Sequence, residues 1–282
     1  MNRLAAWVAI ETGGSLSTQL EGSTSSTLFD VLVDDQRTMV VRAFTDSEWL
    51  AREPDLAVHE AAVLRILEAV DLPTPRVVAL DRAGETAGVP AIIMTRLPGR
   101  VNLPPSPTDD WLASLGTPLV ILRDTPASNF TWTYDPWIDR TSLRPPDWSH
   151  RPSMWERAIA RYFAGTADEP WCLLHRDYHP TNILWEQGRV SGIVDWVNAC
   201  LGPPSSDIAH CRLNLTLMYG QDVADRFTDL LELPYDPVWD LAPALSVLPE
   251  LDVYPPWTEF GLTNLTVDLI RRRIEEFVAR AW

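Results

Sequence analysis

The sequence contains no lysine, and all 23 of its basic residues are arginine. Arginine presents a planar fork of N–H donors that matches carboxylates and phosphates, whereas lysine offers a compact point charge. Any role that a lysine usually takes in a site must therefore fall to arginine or be absent.

Cysteine and long apolar runs are also scarce. The three cysteines, Cys172, Cys200 and Cys211, are odd in number and form no CxxC pair, which argues against a disulfide framework or a zinc ribbon. The opening MNRLAAWVAI meets Glu11 without a small-residue cleavage site, so it predicts a short helix rather than a signal peptide. No run approaches the roughly 20 apolar residues of a bilayer span. We therefore expect a cytoplasmic protein.

Basic residues are few beside the acidic ones, 23 against 39, and the formal net charge is −16. Such a chain is repelled by nucleic acid and by anionic membranes, so neither is expected as a partner. A neutral or cationic small molecule is the better electrostatic fit. With 282 residues, 46% of them hydrophobic, the chain can bury a large core in one domain or two lobes.

The first 95 residues predict a five-stranded antiparallel sheet with one inserted helix. Three strand-like stretches lie between residues 15 and 44, separated by turn residues. Residues 55–71 repeat apolar positions at helical spacing, with Asp55 as the expected cap. Two further strands, PRVVALD and PAIIMTR, complete the sheet.

Beyond the break at Leu97-Pro98-Gly99, the chain predicts a mainly helical region rich in proline and tryptophan. Helical patterns occur near 107–123, 152–165, 205–233 and 258–281. Two exceptions are the hairpin ILWEQGRVSGIVDW, which turns at Gly188, and the irregular stretch 124–152.

The stretch LLHRDYHPTNILW concentrates polar groups between apolar flanks. Asp177 and Asn182 lie in a non-periodic loop, and the hairpin is expected to return Asp195 beside them. Such oxygens suit Mg²⁺ with nucleotide phosphates, and one carboxylate remains to orient an attacking hydroxyl. HxDxxxxN followed by a strand-terminal Asp is the arrangement of a kinase catalytic loop and its metal-binding Asp.

Other interpretations of this stretch stay open. Asp177 and Asp195 could cap turns or helices, and His175 is expected to make a structural hydrogen bond. His175, Asp177 and His179 also alternate as in a zinc hydrolase cluster, but Pro180 favours a turn, in which alternate residues do not share a face.

Upstream, LEGSTSSTLFDV places a glycine and several hydroxyl side chains between two predicted strands. Backbone N–H groups and hydroxyls there could lie over phosphates, although a serine-rich hairpin tip without a ligand is the alternative. The candidate residues are Gly22, Ser23, Ser25 and Ser26.

Arg42 occupies the third strand, where a kinase has its phosphate-contacting lysine. Glu60 falls on the apolar stripe of the following helix, where an unpaired charge would cost several kcal/mol. Arg42 is therefore the predicted partner of Glu60, with a fork that suits a carboxylate and a phosphate together. The alternative places Glu60 at the wet margin of the stripe.

Taken in order, these pieces resemble the aminoglycoside phosphotransferase family, the small-molecule branch of the protein-kinase-like fold. The matching pieces are EGSTSSTLF, VVR, HEAAVLRILEAVDLPTPRVV, MTRLPG, HRDYHPTNIL and GIVDWVNACLGPPSSDIA. Asp195-Trp196 and the later Gly202-Pro203 resemble this branch more than protein kinases, which usually follow the metal Asp with Phe-Gly.

The resemblance implies an α+β, bilobal protein-kinase-like fold. Its N-terminal lobe, 1–96, would hold the five-stranded sheet with one helix and bind the nucleotide. A mainly helical C-terminal lobe, 97–282 with a hinge at 97–103, would carry catalysis and the substrate site. The nucleotide base would lie against the hinge, at Met94, Thr95 and Leu97.

The implied activity is transfer of the γ-phosphate of ATP or GTP to a hydroxyl of a small molecule, with an aminoglycoside-type antibiotic favoured. Asp177 would be catalytic, Asn182 and Asp195 would hold Mg²⁺, and Arg42 with Glu60 would position the phosphates. Choline-like, sugar, nucleoside or macrolide acceptors remain alternatives. The oligomeric state is not indicated.

Two alternative functions belong to other classes of protein. A nucleotide-binding pseudokinase predicts damage at Asp177, Asn182 or Asp195, and all three are intact. A protein kinase needs a long activation segment, yet Asp195 and Asp207 are only twelve residues apart.

Two residues depart from the family pattern. Arg176 stands where the family commonly has glycine, and Arg42 stands in place of lysine. The last 70 residues match no motif, so the acceptor is the least determined part.

Overall fold

The computed structural model describes residues 2–20, 26–34 and 38–282. The chain divides into two compact units, Met1–Gly99 with Ser191–Ala199, and Arg100–Val190 with Cys200–Trp282. The first unit differs from the predicted N-terminal lobe, 1–96, because it also contains residues 191–199. The division into a nucleotide-binding lobe and a catalytic lobe stays a prediction. No helix in the described ranges is long and apolar enough to cross a membrane.

The first unit contains the expected five-stranded antiparallel sheet, in the strand order β1-β2-β3-β5-β4. Its strands are β1 (Ser15–Leu20), β2 (Thr27–Leu32), β3 (Thr38–Ala43), β4 (Val77–Asp81) and β5 (Ala91–Thr95). Side chains alternate between the faces of a strand. Val41 and Ala43 accordingly pack in the apolar core with the opening helix α1 (Asn2–Thr12), and Arg42 between them belongs to the opposite face.

Two helices follow β3 where the sequence predicted one. Asp46 caps the additional helix α2 (Ser47–Arg52), because its carboxylate accepts the backbone N–H groups of Glu48 and Trp49. The expected helix is α3 (Leu56–Leu67), but Asp55 at its start makes no side-chain capping hydrogen bond, so the predicted cap is wrong. The apolar stripe of α3 is buried as expected.

The second unit is mainly helical. Its helices are α4 (Asp109–Arg123), α5 (Pro152–Phe163), α6 (Ser205–Tyr219), α7 (Gln221–Leu231), α8 (Leu241–Ser246), α9 (Pro255–Glu259) and α10 (Val267–Ala279). Trp155 and Phe277 are fully buried in the core that these helices share. The helical pattern predicted over 205–233 divides at Gly220, because its φ of 102° and ψ of 165° end α6.

Short strands complete the architecture. Strands β7 (Cys172–Leu174) and β10 (Cys200–Gly202) pair antiparallel, and β6 (Arg100–Val101) pairs with β8 (Ile183–Glu186). The predicted hairpin joins β8 to β9 (Arg189–Ile193).

The hairpin turn and the long connection follow the sequence signals. Gln187 and Gly188 both have positive φ, as a two-residue turn that matches strand twist requires. Residues 124–151, all of them described, contain no helix or strand, which agrees with the irregular stretch expected there.

Candidate active site

The first group of site residues is the Arg42 cluster, which consists of Arg42, Glu60 and Asp195 in the first unit. Arg42 Nη1 lies 2.9 Å from Glu60 Oε1 and 2.8 Å from Asp195 Oδ1. The side chains of Arg42 and Glu60 are 6% and 2% exposed, whereas that of Asp195 is 34% exposed. The predicted contact between Arg42 and Glu60 is present, and the wet-margin alternative for Glu60 is wrong.

Electrostatics explain why this cluster tolerates burial. Burial lowers the pKa of Arg42, but Asp195 and Glu60 outweigh it and raise the pKa above its ordinary value. Burial raises the pKa of Glu60, and Arg42 opposes that rise. One guanidinium thus faces two carboxyl groups, and the more exposed of these, Asp195, is the place where a further cation would be favourable.

Asp195 is held by the backbone around it. It lies two residues beyond the end of β9, with a left-handed φ of 68° that few residues other than glycine adopt. Ile193 N–H donates to Pro73 O at 2.8 Å, and His59 Nε2 lies 2.5 Å from Ala199 O. The segment that carries Asp195 is therefore tied to α3 and to the turn after it.

The residues predicted to contact the nucleotide base lie at the end of β5. Met94 pairs with Val40, two residues before Arg42, so alternation places Met94 and Arg42 on one sheet face. Thr95 Oγ1 accepts the N–H of Arg76 at 2.9 Å. Leu97 is half-buried just beyond the strand. Their role in binding a base stays a prediction.

The predicted phosphate loop is only partly described. Ser26, which directly precedes β2, is buried. Gly22, Ser23 and Ser25 lie outside the described residues, and the loop's predicted role stays a prediction.

The second unit holds the catalytic-loop motif. Asp207, in the first turn of α6, accepts the N–H of His175 at 2.7 Å and that of Arg176 at 2.8 Å. Tyr178 is fully buried and donates its hydroxyl to Leu115 O at 2.6 Å. His175 is buried with its ring edge-on to Tyr178. These contacts fix the loop that presents Asp177.

The second group of site residues is the Asp177 cluster, which consists of Asp177, His179, Asn182 and His210. Asn182 Nδ2 donates to Asp177 O at 2.9 Å, which leaves the amide oxygen of Asn182 as its available metal ligand. His210 Nε2 lies 3.0 Å from Asp177 Oδ1, and His179 Nε2 lies 3.6 Å from the same oxygen. Asp177 thus stands between two imidazoles.

The imidazoles keep Asp177 ionised. Burial raises the pKa of Asp177, but His179 and His210 outweigh it and hold the pKa well below its usual range. Burial lowers the pKa of His210, against the opposing effect of Asp177. His210 Nε2 thus lies within hydrogen-bond distance of an ionised carboxylate that can act as a base.

Arg176 explains how this chain replaces the family's glycine. Its φ is 73°, a conformation that glycine adopts without strain. Its guanidinium lies 4.5 Å from the ring centre of Tyr134 and 3.9 Å from that of Trp137, and Nη2 donates to Asp135 O at 2.8 Å. Arg176, both rings and His210 line a small, solvent-open cleft with room for about one water molecule.

His210 is the site residue that sequence reasoning missed. It lies three residues after Asp207 on α6, so both side chains are on one helix face. Asp207 binds the backbone of the catalytic loop, and a residue one turn later therefore reaches the same loop. The DxxH spacing was the available signal.

The oxygen donors of both units suit Mg²⁺. Asn182 offers an amide oxygen, whose orientation is fixed by the hydrogen bond from Asn182 Nδ2 to Asp177 O. Asp195 has a second carboxylate oxygen besides the one that contacts Arg42. Asn182 and Asp195 belong to different units, so their predicted convergence stays a prediction.

Solved structures share this fold. The chain is 17% identical to aminoglycoside phosphotransferase APH(4)-Ia in its ternary complex with ADP and hygromycin B, with a TM-score of 0.64 over 99% of each chain. It is 17% identical to a candidate aminoglycoside phosphotransferase of Ralstonia eutropha, with a TM-score of 0.65 over 100% of this chain and 98% of that one.

A third structure has a different substrate. The amicoumacin kinase hAmiN, in complex with AMP-PNP, Ca²⁺ and Ami, is 13% identical, with a TM-score of 0.63 over 93% of this chain and 87% of that one. These likenesses confirm the predicted α+β, kinase-like fold class. No curated protein sequence gives a significant match.

The family itself is decided by sequence. A family model described as "Phosphotransferase enzyme family" matches residues 17–245, a range that contains the Arg42 cluster and the Asp177 cluster. Because the match covers well over half of the chain and agrees with the fold, the chain belongs to the phosphotransferase enzyme family.

Proposed function

We propose that this protein transfers the γ-phosphate of ATP or GTP to a hydroxyl group of a small molecule. The observation that supports this most is the Asp177 carboxylate, which is held ionised in a fixed loop beside Asn182. A carboxylate so placed can orient the acceptor hydroxyl and take its proton as the new bond to phosphorus forms.

The other residues would bind and position. In this proposal Arg42 places its guanidinium against the nucleotide phosphates while Glu60 holds its orientation. Asn182 and Asp195 would hold a divalent ion, Mg²⁺, which when bound neutralises charge on the phosphate oxygens. The base of the nucleotide would lie against Met94, Thr95 and Leu97, and Gly22 with the serines that follow would cover the phosphates.

An aminoglycoside-type acceptor is the favoured class. Family membership and the relatives solved with hygromycin B and with an amicoumacin support a small-molecule acceptor. The net charge of −16 suits a polycationic acceptor. Such an activity would serve as antibiotic resistance inside the cell.

The test is a panel of acceptors offered to the purified protein with Mg²⁺ and either ATP or GTP. Nucleotide consumption should rise above the acceptor-free rate for at least one compound with a free hydroxyl, and omission of Mg²⁺ should abolish the rise. If no aminoglycoside, macrolide, sugar, nucleoside or choline-like compound raises it, while nucleotide still binds, the pseudokinase alternative replaces this proposal.

A further inference from the structure

Two histidines and an aspartate of the second unit meet at one point. We propose that Asp177, His179 and His210 form a binding site for a zinc-like transition metal ion, separate from the Mg²⁺ of the proposed function. An ion there occupies the carboxylate that would serve as the base.

The spacing of the ligand atoms fits such an ion. Zinc in a tetrahedral site binds imidazole nitrogen and carboxylate oxygen at about 2.0–2.2 Å, which places neighbouring ligand atoms about 3.3–3.6 Å apart. Asp177 Oδ1 lies 3.0 Å from His210 Nε2 and 3.6 Å from His179 Nε2. All three ligand atoms lie within 4.8 Å of one another, so small side-chain rotations suffice.

The hydrogen bonds of His179 prepare it as a ligand. The Asn182 amide is oriented by Asp177 O, and its Nδ2 also lies 3.2 Å from His179 Nε2. On the other side of the ring, Nδ1 lies within hydrogen-bond distance of Thr181 Oγ1, at 2.7 Å. Metal-binding histidines are typically oriented by such a second bond. His179 Nε2 lies 3.6 Å from Asp177 Oδ1, and an ion bound between these two atoms would replace the contact of Nε2 with Asn182.

The ligand chemistry selects the ion. Two imidazoles and one carboxylate suit Zn²⁺ and its neighbours, whereas Mg²⁺ takes oxygen ligands. Three protein ligands leave the fourth tetrahedral position open to water. These three ligands are not the His175, Asp177 and His179 that alternate in the sequence. His175 is buried against Tyr178, and His210 of α6 is the third ligand instead.

The test is a titration of Zn²⁺ into the full chain without nucleotide or acceptor, in competition with a chromophoric chelator. Wild type should bind one equivalent, and His210→Ala should bind at least 10-fold more weakly, as expected for loss of a ligand. The exposed His150 provides the matched control, and His150→Ala should bind as wild type does. Equal affinity of wild type and His210→Ala would overturn the proposal.

A circular dichroism melt shows whether His210→Ala folds. If it does not fold, a second variant tests the site. Thr181→Val keeps the side-chain volume and removes the hydroxyl that orients His179. It should weaken Zn²⁺ binding about 10–100-fold. Unchanged affinity in a folded Thr181→Val protein, or no Zn²⁺ binding by wild type, contradicts the site. A Zn²⁺ titration does not depend on phosphate transfer, so failure of this inference and failure of the proposed function are distinguishable.

Discussion

At the scale of single residues, the buried guanidinium of Arg42 faces the carboxyl groups of Glu60 and Asp195. The change Arg42→Ala should weaken both folding and nucleotide binding, because it strands the buried Glu60 and removes a proposed phosphate ligand. Adding Glu60→Gln removes the stranded charge and should restore part of the stability but little activity. Coupling of about 0.5–3 kcal/mol is expected from denaturant melts of the four proteins. Additive effects would show that the pair does not interact.

A second residue-scale prediction concerns Asp207, whose two oxygens accept two backbone N–H groups of the catalytic loop. Asp207→Asn keeps the shape but turns an NH₂ group toward one of those donors. The free energy of unfolding should fall by about 1–3 kcal/mol, the cost of a buried unsatisfied donor. The exposed Asp229 gives the control Asp229→Asn, which should melt as wild type does. If both variants have the same free energy of unfolding, Asp207 does not stabilise the catalytic loop.

At the scale of elements, Arg176 ties the irregular segment 124–151 to the catalytic loop. Arg176→Ala loses the contacts with Tyr134 and Trp137 yet keeps a left-handed backbone, while Arg176→Gly loses the same contacts and relieves the strain. Both should melt below wild type, and the alanine variant should be the less stable of the two by about 1–2 kcal/mol. The reverse order would contradict the observed φ of Arg176.

Gly220 separates α6 from α7, and its backbone conformation is one that only glycine adopts readily. A Cβ there meets only Arg273 Nε, at 4.0 Å, so the effect of a substitution comes from the backbone. Gly220→Ala should lower the free energy of unfolding by about 1–3 kcal/mol. The hairpin variant Gly188→Asn should cost less in the same melts, because Asn tolerates its left-handed φ.

Elements were predictable where a local pattern had one physical cause. The sheet followed from alternation, because one of its faces is buried beside α1. The contact of Arg42 with Glu60 followed from a charge on an apolar stripe. The break at Gly220 was missed because apolar spacing continues across it, and α2 was missed because six residues carry too little periodicity.

At the scale of the whole molecule, the sequence predicted family and fold class because the motifs keep a fixed order along most of the chain. It did not predict His210, since that residue gains its role only once Asp207 is known to bind the catalytic loop. The acceptor is undetermined for the same kind of reason. Its contacts depend on loops and helices that no motif marks.

The most direct test of the central claim follows a labelled γ-phosphate from ATP to the acceptor found in the panel. Wild type should yield the phosphorylated acceptor. Asp177→Asn, which keeps the side-chain shape and removes the base, should lower turnover by about 10²–10⁴ with nucleotide affinity nearly unchanged. Transfer at the wild-type rate by a folded Asp177→Asn protein would contradict the account.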